Sequence, residues 1–380
     1  MSPGAVDLLD DQAALAAADR SGLLRVTASA AAQVRAAVLL SAEAGVDRLA
    51  QEDRPRSVVL LGMGTAGQAG ELFAAIAGPS CPVPVLTHRG PGLPHWVGAA
   101  DLVVALSASG RTGETRSGLE EAVRRGSRLL VVAAEPSPIA DLGRRGRGVV
   151  VPVPPGRPAR ATLWALAVPL VLAADALGLL RAPAAVIEQT ALALEAAAQR
   201  CGPAADLMVN PAKTLALELQ GTLPVLWGSS PLTGVAAARG AGQLSETAAV
   251  PAVWGALPEA GHQQLALLDG PFAHRPAEDL FADPYDDDLP AATHSRLRVV
   301  LLREEGEDAE AAQRVLAVQQ LALDRGVGVS SLLGVGGSPL ERLTTLIATL
   351  DFAAGYLALL EGADPLQTTA IDHLRGRTSQ

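Results

Sequence analysis

Cysteine is nearly absent from this chain. Cys81 and Cys201 are the only two in 380 residues, and no C-x-x-C joins them. That excludes a disulfide framework and fits a reducing compartment, so a cytoplasmic location is expected. Aromatic residues make up 3% of the sequence, too few for base-stacking platforms. Positive charge is the minority sign, 30 Lys and Arg against 40 Asp and Glu, for a net charge of −10. No nucleic-acid partner is expected from that balance. The histidines are His88, His95, His262, His274, His294 and His373. None has a second ligand at i, i+4 spacing, so no metal is expected. Long apolar runs are also missing. The longest, near Ala161–Leu180, is interrupted by Pro169 and Asp175 and reads as a buried helix, not a membrane span. Asp7, Asp10 and Asp11 come early, with no basic flank and apolar core of the signal-peptide kind.

What the chain does have is 49% hydrophobic residues, enough for two α/β domains of ordinary size. Residues 1–50 are rich in Ala, Leu and charge and read as two helices. Strand-like runs follow at Ser57–Gly62, Val83–Thr87, Asp101–Ser107, Ser127–Ala134 and Gly148–Val153. Helical stretches or short loops separate them, the alternation of a parallel sheet with helices on its faces. Prolines stiffen a loop at 152–158, and a helix-rich stretch covers roughly 160–220. A second series starts at Leu223-Pro-Val-Leu-Trp-Gly-Ser-Ser230, with strands expected at Ala249–Val253, Leu297–Arg303 and Gly328–Val335. Val225-Leu-Trp-Gly228 echoes Val59-Leu-Leu-Gly62, a trace of internal duplication. The segment 274–296 reads as an acidic loop and Leu340–Leu360 as an Ala/Leu helix.

Two glycine- and hydroxyl-rich turns carry the chemistry. The first, Gly62-Met-Gly64-Thr-Ala-Gly67, fits G-x-G-x-x-G between a strand and a helix. A dinucleotide site also wants an acid about 20 positions on to hold the ribose. The next strand ends His88-Arg89 instead. Arg89 beside a 2′-phosphate keeps an NADP-dependent oxidoreductase as a rival reading, and glycines that only ease helix packing are the bland one. The second turn, Ser107-Ala-Ser109-Gly-Arg-Thr112-Gly-Glu-Thr115, puts hydroxyls at the end of the third strand and the start of a helix. Hydroxyls with exposed N–H groups suit a phosphate. Alone, this turn would read as a capped helix. Together the two point to one anion at one sheet edge, and a sugar phosphate leads.

These turns resemble the two signatures of sugar isomerase (SIS) domains, and the resemblance extends to the bifunctional phosphoglucose/phosphomannose isomerases. Pro158-Ala-Arg160-Ala resembles that family's Pro-Arg-Ala-Ala loop. Asn210-Pro-Ala-Lys-Thr-Leu-Ala and Leu223–Gly228 resemble its second SIS subdomain. Gln243-Leu-Ser-Glu246-Thr-Ala-Ala-Val-Pro251, Leu257-Pro-Glu-Ala-Gly-His262, Gly362-Ala-Asp-Pro365 and Ile371-Asp-His-Leu-Arg375 resemble later segments in order. The implied fold is α/β. It has N-terminal helices over 1–50, SIS subdomains over 51–200 and 201–340, each a parallel sheet flanked by helices, and a C-terminal helix and tail over 341–380. The implied activity interconverts fructose 6-phosphate with glucose 6-phosphate, mannose 6-phosphate or both, with no cofactor. The match makes Glu246 the proton-shuttling base and His262 the ring-opening group, supplied from a neighbouring subunit, so a homodimer is implied. It sets Arg160 near the enediolate, and Gly64, Thr65, Ser107, Ser109 and Thr112 at the phosphate. Arg375 is a further substrate contact.

Some positions depart from the pattern. Thr65-Ala66 replaces a Gly-Ser pair. Arg111-Thr-Gly113 replaces Asn-Thr-Glu, adding a positive charge and dropping an acid. Gln263-Gln264 follows His262 where Asn-Glu is usual, and a carboxylate there would raise histidine basicity. Arg375 replaces a lysine, and the two are not interchangeable at a tight site. These changes set a SIS protein that binds a phosphosugar without isomerising it beside the enzyme reading.

Overall fold

Branched apolar runs bounded by glycine turns form nine strands in the computed structural model, which describes residues 3–273 and 295–378. The first five are β1 (Val58–Leu61), β2 (Val85–His88), β3 (Leu102–Ser107), β4 (Arg128–Ala134) and β5 (Val149–Val153). They form a wholly parallel sheet in the order β2-β1-β3-β4-β5. β1 and β3 are buried along their whole length, as expected where helices cover both faces. β2, at the edge, is partly exposed. The remaining four are β6 (Leu223–Gly228), β7 (Val253–Ala256), β8 (Leu297–Glu304) and β9 (Gly328–Gly334). They form a second parallel sheet in the order β7-β6-β8-β9. The chain divides into two units. One, residues 25–198 and 338–341, carries the first sheet; the other, residues 1–24, 199–337 and 342–380, carries the second.

The internal echo holds at the level of topology. β1 and β6 each open a sheet, and each is flanked by the next two strands of its own series. Gly62, just after β1, and Gly228, the last residue of β6, are each required by the following helix. A Cβ on Gly62 would stand 2.8 Å from the carbonyl carbon of Ala66, and one on Gly228 would stand 2.2 Å from the nitrogen of Gly234. Such close approach of strand end to helix start leaves no room for a side chain.

Each sheet has its own apolar core. In the first, Val59, Leu61, Val103, Leu119 and Val131 pack together; in the second, Val225, Trp227, Val299, Leu301 and Val318 do. The apolar stretch near Ala161–Leu180 forms the helix Leu163–Ala176. It is apolar on every side and buried along nearly all its length, as expected of a helix inside a core. The Ala/Leu helix runs Pro339–Leu360. It is long and apolar enough to cross a membrane, yet 89% of its most apolar window is buried inside the protein.

Two expectations need correction. Residues 1–50 form not two helices but four, Pro3–Asp10, Gln12–Ala18, Leu23–Ala28 and Ala30–Glu43, with a 3₁₀ turn at Val46–Gln51. Two aspartates break the run. Asp11 caps the second helix by accepting from Ala13 and Ala14. Asp19 accepts from the N–H groups of Leu23 and Leu24, each at 2.9 Å, just past the positive φ of Gly22. The strand expected at Ala249–Val253 lies later, at Val253–Ala256. The helix before it runs to Thr247, and Val250 N–H still bonds back to the Leu244 carbonyl while Ala249 turns to φ 55°. The acidic loop at 274–296 lies outside the described residues except for Ser295 and Arg296.

Candidate functional site

In a parallel sheet the crevice for a ligand opens at the carboxyl edge, between the two strands where the chain order reverses. In the first sheet those strands are β1 and β3, paired from Val58↔Leu102 to Leu61↔Ala105. Both signature turns leave from these two strand ends. The turn after β1 leads into the helix Thr65–Ala77, whose N-cap is Gly64 at φ 55°. The turn after β3 leads into the helix Gly113–Arg124, whose N-cap is Thr112.

Neither helix start is closed by a side chain. The helices after β4, β6 and β8 are closed, by Ser137, Ser230 and Asp308. The first N–H groups of a helix need an acceptor, and they carry the positive end of its dipole. Two uncapped starts after adjacent strands therefore present unmet N–H groups at one sheet edge, where an anion is favoured. The hydroxyls nearby are arranged by each other. Ser107 Oγ accepts from Gly110 N–H at 3.0 Å and lies 3.0 Å from Thr112 Oγ1. So the Thr112 hydroxyl, free by type to cap its own helix, is turned to Ser107 instead. Ser107 is buried and Thr112 partly buried, while Ser109 is exposed and accepts from Arg111 N–H at 3.3 Å. Thr65 is 7% exposed. Thr115 Oγ1, in the first turn of its helix, is buried with no hydrogen-bond partner. The sequence counts this threonine among the hydroxyls of the turn; that its Oγ1 is unmet is visible only in three dimensions.

Arg160 belongs to the same unit. It is 3% exposed, in the 3₁₀ turn Ala159–Ala161 between β5 and the helix Leu163–Ala176. That turn packs against the helix Thr65–Ala77, and Gln33 Nε2 fastens it by donating to the Ala161 carbonyl at 2.8 Å. A buried guanidinium with polar partners fits a fixed charge better than a surface residue. Arg89, the residue that a 2′-phosphate would need, is ion-paired to Glu71 at 2.9 Å.

Glu246 and His262 belong to the second-sheet unit. Glu246 is half-buried in the last turn of the helix Pro231–Thr247. That helix starts at the carboxyl end of β6 and runs back for 17 residues, about 25 Å, so it delivers Glu246 to the amino edge of the sheet. His262 is exposed in the short helix Glu259–Gln263, which follows β7 at the carboxyl edge. The two side chains of one chain are thus set at opposite edges of one sheet. The amides after His262 serve the fold. Gln264 Oε1 accepts from Trp227 Nε1 at 2.7 Å while its Nε2 donates to the Trp254 carbonyl at 3.0 Å. A carboxylate could not donate the second bond. Gln263 Nε2 donates to Glu259 at 3.0 Å. Arg375 falls in the helix Thr369–Thr378.

Residues 208–377 match the family described as bacterial phospho-glucose isomerase C-terminal SIS domain. The chain is 28% identical over 323 residues to a bifunctional phosphoglucose/phosphomannose isomerase of Caldicellulosiruptor bescii, covering 85% of this chain and 89% of that one. It is 25% identical to a protein of the same name from Aquifex aeolicus, covering 84% and 89%. Among solved structures it resembles a hypothetical protein from Thermus thermophilus, with TM-score 0.71, 16% identity and coverage of 98% and 94%. It also resembles a glucose-6-phosphate isomerase from Chlamydia trachomatis, with TM-score 0.66, 14% identity and coverage of 90% and 72%.

Proposed function

We propose that this chain, a relative of the SIS-domain bifunctional phosphoglucose/phosphomannose isomerases, is a phosphosugar aldose–ketose isomerase. Its substrates are fructose 6-phosphate and glucose 6-phosphate, mannose 6-phosphate or both. The observation that carries the reading is the pair of uncapped helix starts after adjacent strands β1 and β3, with Ser107 and Thr112 turned toward each other in the second of the two turns. A phosphate held there lends remote binding energy to positioning the sugar.

The reaction moves one proton between adjacent carbons. His262 opens the ring by passing a proton to the ring oxygen as the C1 hydroxyl gives up its own and the bond between C1 and the ring oxygen breaks. Glu246 takes the proton from C2 of the aldose while the C1 carbonyl oxygen gains negative charge. The resulting enediolate is held by the fixed charge of Arg160. Glu246 then returns the proton to C1 while the hydroxyl proton on the C2 oxygen passes to the C1 oxygen, so the C2 oxygen becomes the ketose carbonyl and the C1 oxygen a hydroxyl. Glucose and mannose phosphates differ at C2, which is planar in the enediolate, so one intermediate serves both aldoses.

Since Glu246 and His262 of one chain occupy opposite sheet edges, the reading includes a homodimer in which the histidine comes from the second copy. The test is a coupled assay that follows fructose 6-phosphate formed from each aldose. Turnover that Glu246→Gln abolishes supports the reading. Tight binding of the sugar phosphate with no turnover on either aldose contradicts it and favours a non-catalytic phosphosugar binder, the alternative that exposed Arg111 in the second turn suggests.

A further inference from the structure

The second sheet has a reversal point of its own, between β6 and β8. A cleft of about 400 Å³ opens there, lined among others by Ser229, Ser230, Leu257, Glu304, Glu307 and Arg342. That volume is in the range of small-molecule sites, roughly 300–1,000 Å³. Its chemistry differs from that of the first sheet. The helix Pro231–Thr247 is closed by a capping box of Ser230 and Thr233. The Ser230 hydroxyl also donates to Glu304, and Arg342 Nε donates to the other oxygen of that carboxylate at 2.9 Å. An internal carboxylate thus stands at the head of this helix, where a bound anion would stand if the place were free.

Two residues that line this cleft each carry a buried polar atom with no hydrogen-bond partner, Ser229 Oγ and Glu307 Oε2. Ser229 is 3% exposed and the Glu307 side chain 8%. The other Glu307 oxygen is held by Arg303 Nε at 2.8 Å. Buried polar atoms are rarely left unmet, so these two mark a place for donors and acceptors from outside the chain. The unmet carboxylate oxygen needs a donor; the serine hydroxyl can donate or accept. A ligand hydroxyl meets both. Charge disfavours a phosphate: Glu304, Glu307 and Asp308 line the cleft against Arg314 and Arg342. Those two arginines are already paired, with Glu310 and Glu304.

We propose that the cleft at the carboxyl ends of β6 and β8 is a second binding site, for a neutral polyhydroxylated ligand of the unphosphorylated sugar or polyol class. Glu307 and Ser229 meet its hydroxyls, and Glu304 bars the helix head to anions. This site stands apart from the isomerase reading and survives if that reading fails.

The experiment titrates the isotope-labelled full-length protein with sorbitol, with mannose and with inorganic phosphate, and follows amide resonances by NMR. A small neutral ligand binds such a cleft with millimolar affinity. The expected result is a saturable shift of the Gly228, Ser229 and Gly306 amides with sorbitol or mannose. Ser107→Ala should leave that shift in place, whereas Glu307→Gln and Ser229→Val should each weaken it at least about fivefold, about 1 kcal/mol. Mapping on the wild-type protein stands by itself should Glu307→Gln fail to fold. Absence of any saturable shift at these amides up to about 50 mM ligand overturns the proposal. So does a shift that Ser107→Ala removes, or one that phosphate produces equally.

Discussion

The Ser107 and Thr112 hydroxyls lie 3.0 Å apart at the carboxyl end of β3, and this contact leaves a helix start uncapped. Ser107 also accepts from Gly110 N–H, so one side chain holds the whole turn in the shape that presents the N–H groups of the next helix. The arrangement gives up a cap, typically worth about 1 kcal/mol, at the place where a ligand could supply the acceptor.

Removing that hydroxyl should therefore loosen the anion seat more than the fold. Ser107→Ala is expected to weaken hexose-phosphate binding about tenfold, from hydrogen bonds to a charged group worth about 1.5–3 kcal/mol. Calorimetric titration with fructose 6-phosphate checks it, with affinity unchanged as the contrary result.

Glu246 and His262 stand at opposite edges of the second sheet, so two inactive variants should rescue each other. Glu246→Gln and His262→Ala homodimers are each expected to be inactive. Mixed, unfolded and refolded together, they should regain about a quarter of wild-type activity, because half the dimers are mixed and one of their two sites is whole. No regain in a mixture shown to contain mixed dimers would place both residues in one chain's site.

Asp101, fully buried at the start of β3, accepts from Ser57 Oγ at 2.8 Å, Gly98 N–H at 2.9 Å and Arg56 Nε at 2.9 Å. Burial pushes its carboxyl upward, but the Arg56, Gly98 and Ser57 bonds together hold it below the ordinary range. A depressed carboxylate stabilises the fold above the unfolded value near 3.9 and ceases to as pH falls through the folded value. Arg56 is more than half exposed, so its ionic share is small. Asp101→Asn is expected to cost about 2 kcal/mol at pH 7. Urea unfolding at several pH values should show the gap to wild type constant above about pH 5 and shrinking below about pH 4.

Arg239 is 2% exposed and bonds Asp351 through Nε and a terminal nitrogen, both at 3.0 Å. Arg239→Met leaves a carboxylate that is only 15% exposed without this partner, expected to cost about 3 kcal/mol. The double change with Asp351→Leu should recover most of the loss in a denaturant midpoint. Equal loss in both variants would mean that packing, not charge, sets the cost.

Much of this was legible in the order of residues. The alternation of branched apolar runs and glycine turns predicted both sheets, and eight of the nine strand positions were close to those observed. β7 was missed because Ala249 adopts a positive φ that few alanines take, so an apolar stretch that reads as strand is a helix exit. The N-terminal helices were undercounted because Asp11 and Asp19 look like surface charge until their caps are seen. The two signature turns were plain as glycines and hydroxyls. Whether Thr112 caps its helix or bonds Ser107 depends on rotamers that no residue pattern records. Likewise Gln264 read as a lost acid beside His262, whereas its two bonds to the tryptophans of β6 and β7 need an amide. The cleft of Glu304 and Glu307 had no motif at all; it arises where strand order brings β6 beside β8.

In the proposed reaction Glu246 moves a proton between C1 and C2 of a hexose phosphate. Incubating fructose 6-phosphate with the protein in D₂O and following the sugar by proton NMR tests it directly. The expected result is glucose 6-phosphate or mannose 6-phosphate as product, deuterium entering at C1 of the ketose and C2 of the aldose, and both signals lost in Glu246→Gln with sugar-phosphate binding retained. Undeuterated, unconverted fructose 6-phosphate in the presence of wild-type protein that demonstrably binds it would rule out proton transfer by Glu246.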